Sequence, residues 1–176
     1  MDELLAFLFA AAVQFSGLPA TDVRPPITAM PYDEMLVEIC ADSAADAPFL
    51  LAQYRQCARS HRMMSSVCDE MKSANGQVDQ CTRQHGLVAA YLIEQHRIVY
   101  RDELDLEDDT DNSFLVHEYV HALQSSHFGD RIFETCEGVM SSEKQAYAAQ
   151  QQYLKSRGQL LRVGDRLRFV TCSDIR

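Results

Sequence analysis

Two histidines four residues apart, His117 and His121, constrain this chain more than any other feature. They frame the run His117-Glu118-Tyr119-Val120-His121, which reads HExxH. On an α-helix, positions i and i+4 lie on one face, so both imidazoles can point at a single metal ion. Glu118 follows the first histidine, one position round the helix, where its carboxylate can reach a water beside that ion without being a ligand. Two imidazoles suit Zn²⁺, and a carboxylate next to an activated water is a general base for hydrolysis. The competing reading is an amphipathic helix that carries two histidines by chance.

The flanking residues speak against chance. Asn112 or Ser113 is the expected N-cap, and Phe114, Leu115, Val116, Val120 and Leu123 supply apolar surface for an internal helix. A catalytic zinc takes three protein ligands, so a third is needed. Glu143 lies 22 residues beyond His121, at the start of a helical pattern over residues 142–150 (SEKQAYAAQ). His127 lies six residues beyond His121, which is the histidine spacing of metzincins, and residues 138–141 hint at their methionine turn. That pattern needs a glycine where Gln124 stands, because a Cβ is costly if the turn requires positive φ. The weight falls on Glu143, with His127 as the rival.

The HExxH helix followed by Glu-x-x-Ala-Tyr on a second helix resembles the gluzincin branch of zinc metallopeptidases. Residues 89–154 are more closely similar to small, uncharacterised bacterial zincin-like proteins. The shared elements are Ile98-Val99-Tyr100, Leu104-Asp105-Leu106, His117 to Gln124 and Glu143 to Gln150. The resemblance covers about two fifths of the chain, with HExxH its only highly specific part. It implies a minimal zincin-like α+β domain, metal ligation by His117, His121 and Glu143, and Glu118 as base. Thermolysin-like gluzincins carry an Asp four residues after the ligand Glu, to hydrogen-bond a ligand histidine. Tyr147 occupies that position here, so the imidazoles' outer partners stay unassigned.

Tyr147 shares a helix face with Glu143, so its hydroxyl is a candidate oxyanion donor; the plainer reading is packing. Tyr119 reads as core or groove wall, while His61, His85 and His96 lack ligand spacing. Residues 88–93 and 98–100 are β-prone runs that predict a small antiparallel hairpin, the second run being the candidate edge for pairing with extended substrate. Residues 102–111, DELDLEDDTD, hold seven acids in ten. They lack the central glycine and distal glutamate of a calcium loop, and read as a solvated acidic loop favouring the following helix N-terminus.

The 176 residues, 47% of them hydrophobic, suffice for one core and one mostly helical α+β domain. Residues 1–86 read as its mainly helical part, 87–157 as hairpin and the two site helices, and 158–176 as a tail. The apolar run of residues 4–13 predicts a buried helix ended by Gly17, since Asp2 and Glu3 are not the basic start of an export signal. Residues 25–31 read as extended, 32–41 as helix, and 46–83 as two helical patterns broken near Asn75-Gly76. Gly158 should end the Glu143 helix, leaving residues 160–170 as a hairpin or irregular tail.

No run reaches the roughly 18 apolar residues of a membrane span. A net charge of −10 argues against nucleic acid as a partner. Six cysteines, at 40, 57, 68, 81, 136 and 172, would form up to three disulfides in a secreted or periplasmic protein, with Cys57–Cys68, Cys40–Cys81 and Cys136–Cys172 favoured, and would be buried thiols in a reducing cytosol. Two function classes remain: a zinc metallopeptidase acting on peptide or protein substrates, and a non-catalytic binding protein on the same scaffold. An intact Glu118 favours the first.

Overall fold

The computed structural model of the chain describes residues 1–22, 24–42 and 87–172. The helical patterns of residues 46–83 and the pairing Cys57–Cys68 lie outside the described residues. The apolar run near the start forms helix α1 (Asp2–Ser16), which buries Leu8, Phe9, Ala11 and Ala12. The proline-rich segment contributes strand β1 (Ile27–Met30), followed by α2 (Tyr32–Asp42). Strands β2 (Ala89–Leu92) and β3 (Arg97–Arg101) form the expected hairpin. Helices α3 (Asp109–Phe128) and α4 (Cys136–Ser156) carry the candidate site, and a 3₁₀ turn (Asp130–Phe133) lies between them. The fold is α+β and helix-rich.

The sheet departs from a simple antiparallel hairpin. Its order is β1-β3-β2, with β1 parallel to β3 and β2 antiparallel. The strand taken as the free edge, residues 98–100, is therefore central, and Ile98 and Val99 are fully buried. The edge beside α3 is β2. Both runs are equally β-prone, and their order depends on β1 arriving from 71 residues upstream (Ile27 opposite Ile98), so local pattern does not separate them. In the hairpin turn His96 has φ 46, and its Nδ1 is 2.9 Å from the Tyr91 hydroxyl, a bond that helps hold this left-handed conformation.

Helix α3 begins earlier than its apolar residues indicate. Its N-cap is Asp108, whose carboxylate accepts from the backbone N–H groups of Thr110 and Asp111. Asn112 and Ser113, the expected caps, lie a turn inside it. Part of the acidic run is thus the helix's first turn, where negative side chains face the positive end of the helix dipole. Helix α4 likewise starts at Cys136, capped by Thr135 through Gly138 N–H. Residues 138–141 are helical, so no methionine turn forms. A Cβ on Gly138 would sit 1.9 Å from the Ile132 carbonyl oxygen, so only glycine allows the 3₁₀ turn to approach α4 this closely.

The core lies where α1, α3, α4 and the sheet meet, around Leu8, Leu115, Tyr119, Leu123, Tyr153 and Leu154, all at most 1% exposed. Burying a leucine of this kind stabilises by about 1.5–3 kcal/mol. Because α3 is packed by α1 and α4 and touched by β2 and β3, it is buried around most of its circumference. The tail after α4 is an irregular segment with a 3₁₀ turn (Asp165–Phe169), and Cys136–Cys172 ties it back to the start of α4. Cys40 is also disulfide-bonded, while Cys81, its expected partner, lies outside the described residues. Among the described residues no helix is long and apolar enough to cross a membrane.

Candidate metal centre

One turn of α3 sets His117 and His121 side by side, with their Nε2 atoms 3.0 Å apart. Helix α4 packs along α3 and brings Glu143 to the same point. Its carboxylate oxygens are 3.4 Å from His117 Nε2 and 3.3 Å from His121 Nε2. Both imidazoles are more than nine-tenths buried, and Glu143 is half-buried. His127, the rival third ligand, is not in this group. Helix α3 continues without a turn to Phe128, and six residues of helix carry His127 round and along the axis, where its ring rests on Phe128.

Two glutamines decide which imidazole nitrogens face inward. His117 Nδ1 lies 3.2 Å from Gln150 Oε1, and His121 Nδ1 lies 2.9 Å from Gln124 Oε1. Each amide is oriented by its own donors. Gln150 Nε2 donates to Ser113 Oγ, which donates onward to the Thr110 carbonyl. Gln124 Nε2 donates to the Ser142 carbonyl and to Gln145 Oε1, and Gln145 Nε2 donates to the Ser16 carbonyl on α1. An amide oxygen can only accept, so each histidine carries its proton on Nδ1. Each Nε2 therefore directs a lone pair inward.

Two lone pairs and a carboxylate converging within 3.4 Å repel one another unless a cation lies among them. That donor set fits a divalent metal. Without a metal, a proton takes its place. Burial opposes a charge on His121, yet the hydrogen bond it donates to Glu143 and the charges of Glu118 and Glu143 outweigh it, so its pKa is raised. Burial also opposes the Glu143 carboxylate, but its bonds to His117 and His121 hold it well below the usual carboxylate range.

Aromatic rings wedge the imidazoles in place. Tyr147 meets His117 edge-on at 4.4 Å between centroids, and Phe133 meets His121 at 5.9 Å. Burial raises the Tyr147 pKa, with further upward pressure from Glu143 and Glu118, so its phenol stays protonated. Tyr119, by contrast, is core, packed edge-on against Phe9.

Glu118 is the half-open position in an otherwise buried stretch of α3. Its Oε2 accepts a 2.7 Å hydrogen bond from the backbone N–H of Tyr91 on β2. Arg101 N–H pairs with the Val88 carbonyl, and the antiparallel alternation turns Ala89 and Tyr91 outward, away from β3. The edge strand thus presents an outward donor at the acid of HExxH.

Sequence reasoning missed Gln124, Gln150, Ser113, Phe133 and Tyr91. The signal for the glutamines was present in their spacing, three residues after His121 and seven after Glu143, each on its ligand's helix face. No family model, curated protein or solved structure matches this chain.

Proposed function

We propose that this chain is a zinc-dependent metallopeptidase of gluzincin type, with His117, His121 and Glu143 as ligands and Glu118 as general base. The observation that carries this reading is the convergence of two oriented Nε2 lone pairs and the Glu143 carboxylate, with a further carboxylate, Glu118, on the same helix beside them. Glu118 is near enough for its charge to act on both His121 and Tyr147. Two imidazoles with one carboxylate are a donor set that Zn²⁺ takes readily, leaving a position for water.

When bound, the metal polarises the scissile carbonyl and acidifies a water, the chemistry a neutral peptide bond needs. An extended substrate pairs along the outer edge of β2. Glu118 takes the proton from the water as its oxygen bonds to the carbonyl carbon. It then delivers that proton to the departing amine as the C–N bond breaks. The protonated Tyr147 hydroxyl donates to the oxyanion that forms in between. The Cys136–Cys172 disulfide fits an oxidising compartment, and we place the protein in the periplasm or outside the cell.

The test pairs metal analysis with digestion of a broad peptide library. Wild-type protein retains one zinc and cleaves, and a chelator abolishes cleavage. Glu118→Gln keeps the zinc and loses activity by at least about a hundredfold, the scale of a general base. Undiminished cleavage by that variant refutes the mechanism. A binding protein on the same scaffold retains metal and cleaves nothing in either form.

A further inference from the structure

One flank of α4 carries Lys144, Tyr147, Gln151 and Lys155, which recur every three or four residues and so share one face, with Tyr147 at its border with α3. The tail after α4 folds back over this face and forms with it a half-open cavity of about 590 Å³, within the size range of small-ligand sites. The tail is built into place rather than draped. Gln151 Nε2 donates to the Leu161 carbonyl, and Gln151 Oε1 accepts from Val163 N–H. Gly164 lies so close to the Tyr147 ring that a Cβ there would be 2.6 Å from it. Beyond the cavity, Cys136–Cys172 anchors the tail.

The charge of this cavity runs against that of the chain. Its walls hold four cations, Lys144, Lys155, Arg162 and Arg168, against one acid, Asp165, in a chain of net charge −10. Asp165 pairs loosely with Arg168 at 3.7 Å. Lys144, Lys155 and Arg162 make no ion pair with any described residue. Tyr147 is the partition between this cavity and the candidate metal centre, since it lines the first and packs on His117 in the second.

We propose that this cavity is a subsite for a peptide carboxylate, so that the centre acts on acidic peptides. This rests on the peptidase reading for its consequence, but the binding stands on the cavity alone. A chain bound along the HExxH centre with an Asp or Glu side chain, or a C-terminal carboxylate, reaching past Tyr147 would meet Lys155 and Arg162 without displacing any acid. The four cations are solvent-exposed, so the two that meet the carboxylate, Lys155 and Arg162, each contribute modestly, about threefold to fivefold in affinity, and the effect is screened by salt.

The experiment is equilibrium binding to zinc-loaded Glu118→Gln protein, read by fluorescence anisotropy. The probes are labelled heptapeptide amides in which one Glu, Gln or Lys is moved along a neutral background, plus a neutral peptide with a free C-terminal carboxylate. The best Glu peptide binds about tenfold tighter than its Gln twin, and the preference shrinks as salt is raised. Comparing the Glu amide with the free-carboxylate peptide identifies which carboxylate enters. Lys155→Gln/Arg162→Gln removes the preference and leaves Gln-peptide binding and thermal melting unchanged. Equal binding of the Glu and Gln peptides, no binding of any peptide, or a preference that survives the double substitution overturns the proposal. Digestion of the same peptides by wild-type protein separates the two readings. An acid preference in binding with no cleavage sinks the peptidase alone, and cleavage indifferent to acid sinks the subsite alone.

Discussion

Gln124 and Gln150 do for the two imidazoles what a carboxylate does in many metal sites: they accept a hydrogen bond from Nδ1–H and turn Nε2 inward. Being neutral, they orient the rings without adding charge to a centre that already holds Glu118 and Glu143. Both are fully buried, and each spends its own N–H groups on fixed oxygens, so neither can rotate away without stranding a donor. Gln124→Ala and Gln150→Ala are therefore each expected to lower zinc affinity by about 10–100-fold with little change in helix content. Competition with a chromophoric chelator, alongside circular dichroism, measures both. Unchanged affinity would mean that the rings are oriented by Tyr147 and Phe133 alone. At this scale the HExxH residues and Glu143 were legible in the sequence, because helical periodicity places His117 and His121 on one face. The spacing put Gln124 and Gln150 on the helix faces of His121 and Glu143, but that Gln150 meets His117 depends on how α4 crosses α3.

Helix ends are set by backbone hydrogen bonds rather than by where apolar residues begin, and α3 illustrates the difference. Asp108, Asn112 and Ser113 are all good caps by residue type. Asp108 prevails because Asn112 Nδ2 is drawn to the Leu106 carbonyl, and the Ser113 hydroxyl serves Thr110 and Gln150. The backbone N–H groups of Asp111 and Thr110 hold the Asp108 carboxyl below its ordinary pKa. A depressed carboxylate contributes stability that is present above its unfolded pKa and lost as pH falls through the folded value. The cap should therefore weaken on acidification below about pH 4. Asp108→Asn, which still accepts the N–H bonds, is expected to flatten that acid limb in thermal melts while leaving neutral pH nearly unaffected. Asp108→Ala should lower the melting temperature at neutral pH by a few degrees. Identical acid limbs for wild type and Asp108→Asn would place the pH sensitivity elsewhere. The strand order had no comparable local signal, since residues 88–93 and 98–100 have the same β-prone character and only the arrival of β1 makes one of them central.

On the scale of the whole molecule, one covalent link ties the tail to the site. Cys136 opens α4, the helix of Glu143, and Cys172 ends the described tail, a separation of 36 residues. A loop of that length restricts the unfolded chain enough to stabilise by roughly 2–4 kcal/mol. Replacing both cysteines by serine should lower the melting temperature by about 5–15 °C, given the size of the chain. Differential scanning calorimetry reads the stability change, and zinc titration of the same variant reads the site. Zinc binding should persist, because His117, His121 and Glu143 are held by α3 and α4 rather than by the tail. A variant that melts with the wild type would show that the tail is secured by its contacts with Gln151 and Tyr147 instead.

The amino-acid order by itself determined that residues 109–128 contain a helix with two imidazoles on one face, that a second helix carries Glu143, and that the class is α+β. These follow from periods of 3.6 and 2, which a chain carries locally. Tertiary structure alone brought Glu143, the ligand the sequence favoured over His127, to the histidines, and decided that β2 is the edge at Glu118 and that the tail's cations gather beside Tyr147. Each of those brings together groups distant in sequence or places them by the packing of helices and strands. Sequence spacing limits such meetings; the packing of α4 on α3, the order of the strands and the return of the tail bring them about.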